Sequence, residues 1–267
     1  MDSFDRRWVQ EVNSMRRQRA FTLIELLVVI SVIALLMAIL MPALQRVRKQ
    51  ARGVACQSNL RQWGVIFFMY MDDYNGSFMQ GDSSGEWRWA LESYGDRKLS
   101  TCCPEAANPD KPAGTFGTWG MGSLDSDYVA QQDFGSYGIN RWVYDRASGR
   151  SDEGYWKGRN VRGTQWIPLF ADCSWYGGRP FEYDSPPEFP GQQPAQWTVD
   201  NMRRFCLDRH ASAMNSVFLD SSVRRIGLKE LWTLKWHESY DTSNAWTKAG
   251  GAVPADWPDW MRPLKDY

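Results

Sequence analysis

The chain has 267 residues, enough for one large domain or two small ones with a proper hydrophobic core. Lys plus Arg number 31 and Asp plus Glu number 31, so the formal net charge is zero and no global field points to nucleic acid or an acidic substrate. Apolar residues make up 43% and charged ones 23%, which excludes a disordered or fibrous chain. Five Cys are too few for a small disulfide scaffold, and only two His, His210 and His237, exclude a multi-histidine metal centre.

In chain order the first element is extreme. Leu23 to Met41 reads LIELLVVISVIALLMAILM, with Glu25 as its single charge. As a helix it spans about 28 Å, close to the thickness of a bilayer's hydrocarbon. The mean hydropathy of the whole chain is −0.51, so the remainder is polar in character. A secretory signal fits poorly, because its apolar region is shorter and is followed by a small-x-small cleavage site. Here the run ends in Pro42 and then Arg46, Arg48, Lys49 and Arg52. A plain anchor fits the length but leaves Glu25 unexplained, since a carboxylate in a membrane helix is costly and usually functional. Basic residues flank both ends, so charge alone assigns no orientation.

The segment from Arg16 to Ile30, RRQRAFTLIELLVVI, resembles the leader of type IV pilin-like proteins, the prepilin-type N-terminal cleavage and methylation motif. The resemblance implies that a prepilin peptidase cuts between Ala20 and Phe21 and methylates the Phe21 amine. Glu25 and Pro42 then take the places of the family's assembly carboxylate and helix-bending proline. Ala20 stands where the family usually has Gly. Cys56–Gly64 and Tyr70–Gly76 resemble the helix continuation of pseudopilin G-like proteins, a subgroup that often carries a His, nine residues and Asp-Gly. Here His210 precedes Asp220 at that spacing, with Ser221 in place of the Gly. The implied organisation is a removed cytoplasmic leader (1–20), a transmembrane and assembly helix (21–42), its periplasmic continuation (43–76) and a β-rich globular domain (77–267). The expected fold class is α+β, a long N-terminal helix packed on an antiparallel sheet with long loops.

After Pro42 the pattern predicts helix to about Tyr74. Leu44, Val47, Ala51 and Val54 form one apolar stripe, and Val65–Met71 is apolar on all sides and expected to be buried against a sheet. Asp72, Asp73 and Asn75 are candidate calcium ligands, but the loop lacks the sixth-position Gly and closing Glu of a calcium loop, so a helix-ending turn is the competing reading. Trp166–Ala171 reads as a buried strand ending at Asp172. Residues 176–196, with five Pro, read as a surface loop. Met214–Leu219 and Val223–Ile226 read as a hairpin, and Leu228–Trp236 as a short helix.

No phosphate loop, HExxH or GxSxG occurs, so the chain is expected not to be an enzyme and to need no cofactor. His210 and Asp220 are expected to serve the fold, with Asp220 supporting the hairpin turn. Cys102, Cys103, Cys173 and Cys206 are disulfide candidates, one of the first two pairing with one of the last two; no metal site is expected. The fifteen Trp, among them Trp87, Trp89, Trp119, Trp142, Trp156 and Trp175, have two readings, a sugar-stacking surface or filling for a loop-rich core. Two functions follow. The first is a pseudopilin subunit of a type II secretion or type IV pilus-like fibre. It would be set in the inner membrane with its domain in the periplasm, and its partners would be itself, other pseudopilins, the prepilin peptidase and the assembly platform. The second is a membrane-anchored extracytoplasmic binding module, with a glycan as candidate ligand.

Overall fold

The computed structural model describes residues 22–81, 86–95, 102–106, 113–120, 134–145, 153–156, 158, 160–196 and 199–267. The chain divides into two compact units, Met1–Arg48 and Lys49–Tyr267, and the division falls inside the first helix, α1 (Leu23–Asp73). In the first unit every residue from Thr22 to Arg48 is exposed, including the whole apolar run. Pro42 lies within α1 rather than at its end. Its ring removes one N–H from the helical ladder.

In the second unit the helix turns one stripe inward. Cys56, Leu60, Trp63, Phe67 and Tyr70 recur at alternating four- and three-residue steps and are buried. The stripe expected from the sequence is displaced. Leu44, Val47 and Val54 are exposed, and so are Val65 and Met69 within the apolar run. The helical period carries those two side chains away from the sheet while it brings Phe67 and Met71 onto it.

A five-stranded sheet takes the buried stripe. Its strands are β1 (Tyr137–Asn140), β2 (Pro168–Asp172), β3 (Gly177–Gly178), β4 (Ala213–Phe218) and β5 (Val223–Gly227), in the order β3-β1-β2-β4-β5. All neighbours pair antiparallel except β3, which runs parallel to β1, so the sheet is mixed rather than wholly antiparallel. Period-two alternation sorts the side chains of β2. Phe170 meets Trp63 and Phe67 of α1, with ring centroids 5.8 and 6.1 Å apart. Asp172, two residues on, points to that same face, where its carboxylate meets Cys56 of α1. On β4, Val217 approaches α1 at Gly64, where an added Cβ would lie 2.9 Å from a Val217 methyl. The glycine is there for that contact.

Residues 176–196 are not wholly a surface loop. They hold β3, and Pro180, Asp184, Pro186 and Pro187 are buried. Asp184 explains this, because its carboxylate accepts the N–H groups of Phe181 and Met202 and ties the segment inward. Leu228–Trp236 forms only a 3₁₀ turn, Lys229–Thr233. With so little ladder, side chains satisfy many loop carbonyls. Seven indole N–H groups, those of Trp87, Trp119, Trp142, Trp156, Trp232, Trp236 and Trp260, donate to backbone oxygens. Among the described residues only Trp89 and Trp166 are exposed tryptophans, at 54% and 51%. Exposed rings among these residues also include Tyr74, Phe116, Tyr183 and Phe189.

At the β4–β5 turn Ser221 holds φ +67°, and Asp220 accepts both the backbone N–H and the hydroxyl of Ser222. Ser221→Gly is expected to raise stability by about 0.5–1 kcal/mol, because the left-handed region costs a serine more than a glycine. Gly64→Ala gains about 1 kcal/mol of helix propensity but overpacks against Val217, at a cost of about 1–3 kcal/mol. Thermal melts of the full chain in detergent should therefore rise for Ser221→Gly and fall for Gly64→Ala. Gly64→Ala combined with Val217→Ala should lose less than the sum of the two single changes.

Candidate functional site

Two places carry chemistry. The first is the start of α1. Thr22 Oγ1 accepts the Glu25 N–H at 3.2 Å, while Glu25 Oε2 accepts the Thr22 N–H and hydroxyl, both at 2.9 Å. This reciprocal pair is a capping box, which satisfies two of the orphan donors at a helix start. The pattern Thr-x-x-Glu before an apolar run is its sequence signature, and reading Glu25 only as an intramembrane charge overlooked it. Ala20 and Phe21, the expected cleavage pair, lie outside the described residues.

The second place is the α1-facing end of β2. Asp172 is wholly buried. Its Oδ1 lies 3.1 Å from Arg209 Nη1, and its Oδ2 lies 3.1 Å from His210 Nε2 and accepts the Asn215 N–H at 2.8 Å. Cys103 Sγ lies 3.4 Å from the same His210 Nε2. The Cys56 thiol approaches both Asp172 oxygens at 3.7 and 3.8 Å and lies within 4.8 Å of the Cys103 thiol. Arg209 is itself fully buried and also donates to the carbonyls of Thr115, Ser136, Gly114 and Cys173. One guanidinium therefore ties two loops and β2 to a single carboxylate.

A tight turn aims Arg209 and His210. Ala211 and Ser212 sit at φ +53° and +64°, conformations that non-glycine residues adopt only when their surroundings enforce them. Asp208 accepts the Ser212 N–H at 2.6 Å, and Arg225 donates to the carbonyls of His210 and Ala211. On the cavity side, His210 lines a cleft of about 730 Å³ with Gly53, Gln57 and Arg225.

Burial alone would raise the Asp172 pKa, but the His210 hydrogen bond and the Arg209 charge hold it below the ordinary carboxylate range. Burial alone would lower the His210 pKa, yet its bonds to Asp172 and Cys103 and the Asp172 charge push it up to about 10. Burial pushes the Cys103 thiol far up, the reverse of an activated thiolate. Cys103 and Asp172 meet the same imidazole nitrogen, so the group lacks the relay of nucleophile, base and orienting acid that uses both ring nitrogens.

The other expected site residues are dispersed. His210 and Asp220 serve different networks, His210 that of Asp172 and Asp220 the hairpin turn. The thiol that Cys103 meets is that of Cys56, a helix residue left out of the disulfide candidates. Cys102 is half-buried, while Cys173 and Cys206 are buried, with the Cys173 thiol pushed up to about 12 by burial. Of the calcium candidates, Asp73 accepts the Tyr94 hydroxyl at 2.7 Å, and Asn75 stands at φ +54° in the turn after α1. Sequence reasoning missed Asp172, Arg209 and Cys56. The signal was strand parity: it puts Asp172 on the face of Phe170.

Asp172→Ala strands a buried guanidinium and should cost about 3–5 kcal/mol, read as a large fall in melting temperature. Arg209→Lys should fall by a comparable amount, because one ammonium cannot reach acceptors spread over a planar fork. A melt unchanged by either substitution would contradict the geometry.

Residues 15–41 match a family model described as a prokaryotic N-terminal methylation motif. No curated protein and no solved structure matches the chain. The match takes in the basic tail, the capping box and most of the apolar run of α1, so this stretch carries a prokaryotic N-terminal methylation motif.

Proposed function

We propose that the protein is a structural pilin-like subunit of an inner-membrane fibre of the type II secretion or type IV pilus kind. The observation that carries the reading is the methylation motif, joined to an apolar helix whose residues Leu23–Arg48 are all exposed among the described residues. Lipid, and then the same helices of neighbouring subunits, would take that surface. Prepilin peptidase would cut between Ala20 and Phe21 and methylate the new amine. The globular unit would sit on the far side of the membrane from the removed leader, and the chain would act by assembly rather than catalysis. Display of a binding domain is the second reading, and in the described residues it would draw on exposed rings such as those of Trp89, Trp166, Tyr183 and Phe189.

Glu25 has two tasks in this account. Its Oε2 closes the helix cap, and its charge would pair with the Phe21 amine of an adjacent subunit and set the stagger between helices. Two substitutions separate the tasks. Glu25→Gln can still accept the Thr22 bonds but carries no charge. Thr22→Val loses the cap, worth about 1 kcal/mol, and keeps the charge. Crosslinked higher-order species in membranes should vanish for Glu25→Gln and persist for Thr22→Val. Assembly by Glu25→Gln at the normal level would refute the pairing.

Mass spectrometry of the N-terminal peptide tests the processing step directly. A mature chain beginning at N-methylated Phe21 is expected. A start at Met1, or a cut after Met41, would sink the reading.

A further inference from the structure

We propose that Cys56, Cys103, Asp172 and His210 form a structural zinc site that clamps α1, the 102–106 segment, β2 and the turn before β4 together. The inference is independent of the N-terminal motif and of fibre assembly. One donor atom from each of the four residues lies within 4.8 Å of every other. Zinc held by thiolates at about 2.3 Å and by nitrogen or oxygen at about 2.0–2.1 Å in a tetrahedron requires donor edges of about 3.3–3.8 Å. With Asp172 Oδ2 as the carboxylate donor, the His210–Asp172, His210–Cys103 and Cys56–Asp172 separations are 3.1, 3.4 and 3.8 Å. Three of the six edges thus lie close to that range, and the other three are no longer than 4.8 Å.

Two further features fit. Around His210 Nε2 both Asp172 Oδ2 and Cys103 Sγ converge on one imidazole nitrogen. A cation at that point would bind all of them at once. Charge balance points the same way. Two thiolates, one carboxylate and a neutral imidazole around Zn²⁺ carry one net negative charge, and Arg209 on Asp172 Oδ1 cancels it. Loading exchanges three protons, one from each thiol and one from the imidazolium, for one Zn²⁺. Arg209 and the Asn215 N–H orient the carboxylate from outside, and the cleft beside His210 supplies an entry path. Paired sulfur donors in a buried, four-cornered site select zinc over the hard cations calcium and magnesium. With four protein donors no corner is left for water, which makes the site structural rather than catalytic.

The test uses the full chain in detergent, kept reduced and titrated with Co²⁺ and then Zn²⁺. The reduced protein is expected to take up one equivalent of Co²⁺. That ion should give tetrahedral d–d absorption and thiolate-to-cobalt charge-transfer absorption of the strength of two sulfur ligands, both abolished by one equivalent of Zn²⁺. Cys56→Ser and Cys103→Ser should each weaken binding at least about 100-fold, whereas Cys206→Ser, a buried thiol outside the cluster, should bind like the parent. Should a Ser variant fail to fold, the charge-transfer strength of the unmodified protein decides alone. The proposal is overturned if reduced protein takes up no stoichiometric cobalt, if the bound ion lacks charge-transfer absorption, or if folded variants lacking either thiol bind as the parent does.

Discussion

The globular unit depends on a single buried carboxylate. Asp172 sits at the end of a central strand with a guanidinium on one oxygen and an imidazole and a backbone N–H on the other. Burying an unpaired carboxylate would cost several kcal/mol, a large share of a domain's stability, so the fold has to supply each of these partners. That requirement places Arg209 and His210, which in turn places the strained turn at Ala211 and Ser212 and hence the start of β4. It also brings Cys56 of α1 and Cys103 of a distant loop to one point.

A loop-rich domain needs such joints. Among the described residues five short strands leave much of the globular unit's backbone outside any ladder, and a carbonyl without a partner in the interior costs about as much as a lost hydrogen bond. Arg209 and the indole N–H groups do what extra strands would otherwise do. The high tryptophan content thus has a physical account. Each of the donating indoles fills volume with two rings and satisfies a carbonyl, as Trp156 does at the Trp236 oxygen, which also accepts from the Asn140 side-chain amide. The aromatic clusters around Phe170 and Trp142 are the visible result.

Much of the architecture was legible in the sequence because it rests on local pattern. The apolar run, the long helix ending near Tyr74, the strand ending at Asp172 and the hairpin around Asp220 all follow from period and turn chemistry. What escaped depends on long-range pairing. Gly64 reads as a weak point of a helix until Val217 is known to lie against it. The stripe through Leu44, Val47 and Val54 has the right period but no sheet beneath it, since period reports a face and not its partner. Cys56, Cys103, Asp172 and His210 are far apart in the chain and share no motif spacing. Only the antiparallel pairing of β2 with β4, and the seating of α1 on them, brings them together. The capping box at Thr22 and Glu25 was local and readable, but the charge of Glu25 drew the attention that its spacing also merited.

Native-state hydrogen exchange of the full chain tests most directly whether the Asp172 network is the most stable part of the unit. The Asn215 amide, bound to Asp172 Oδ2, and the Cys103 amide, bound to Ser136 Oγ, report on it from both sides. If the network holds the core, both exchange only through global unfolding, at the rate of the slowest amides of β4, although Cys103 lies outside every helix and strand. Exchange of the Cys103 amide at the rate of the exposed loops, while β4 stays protected, would contradict the account.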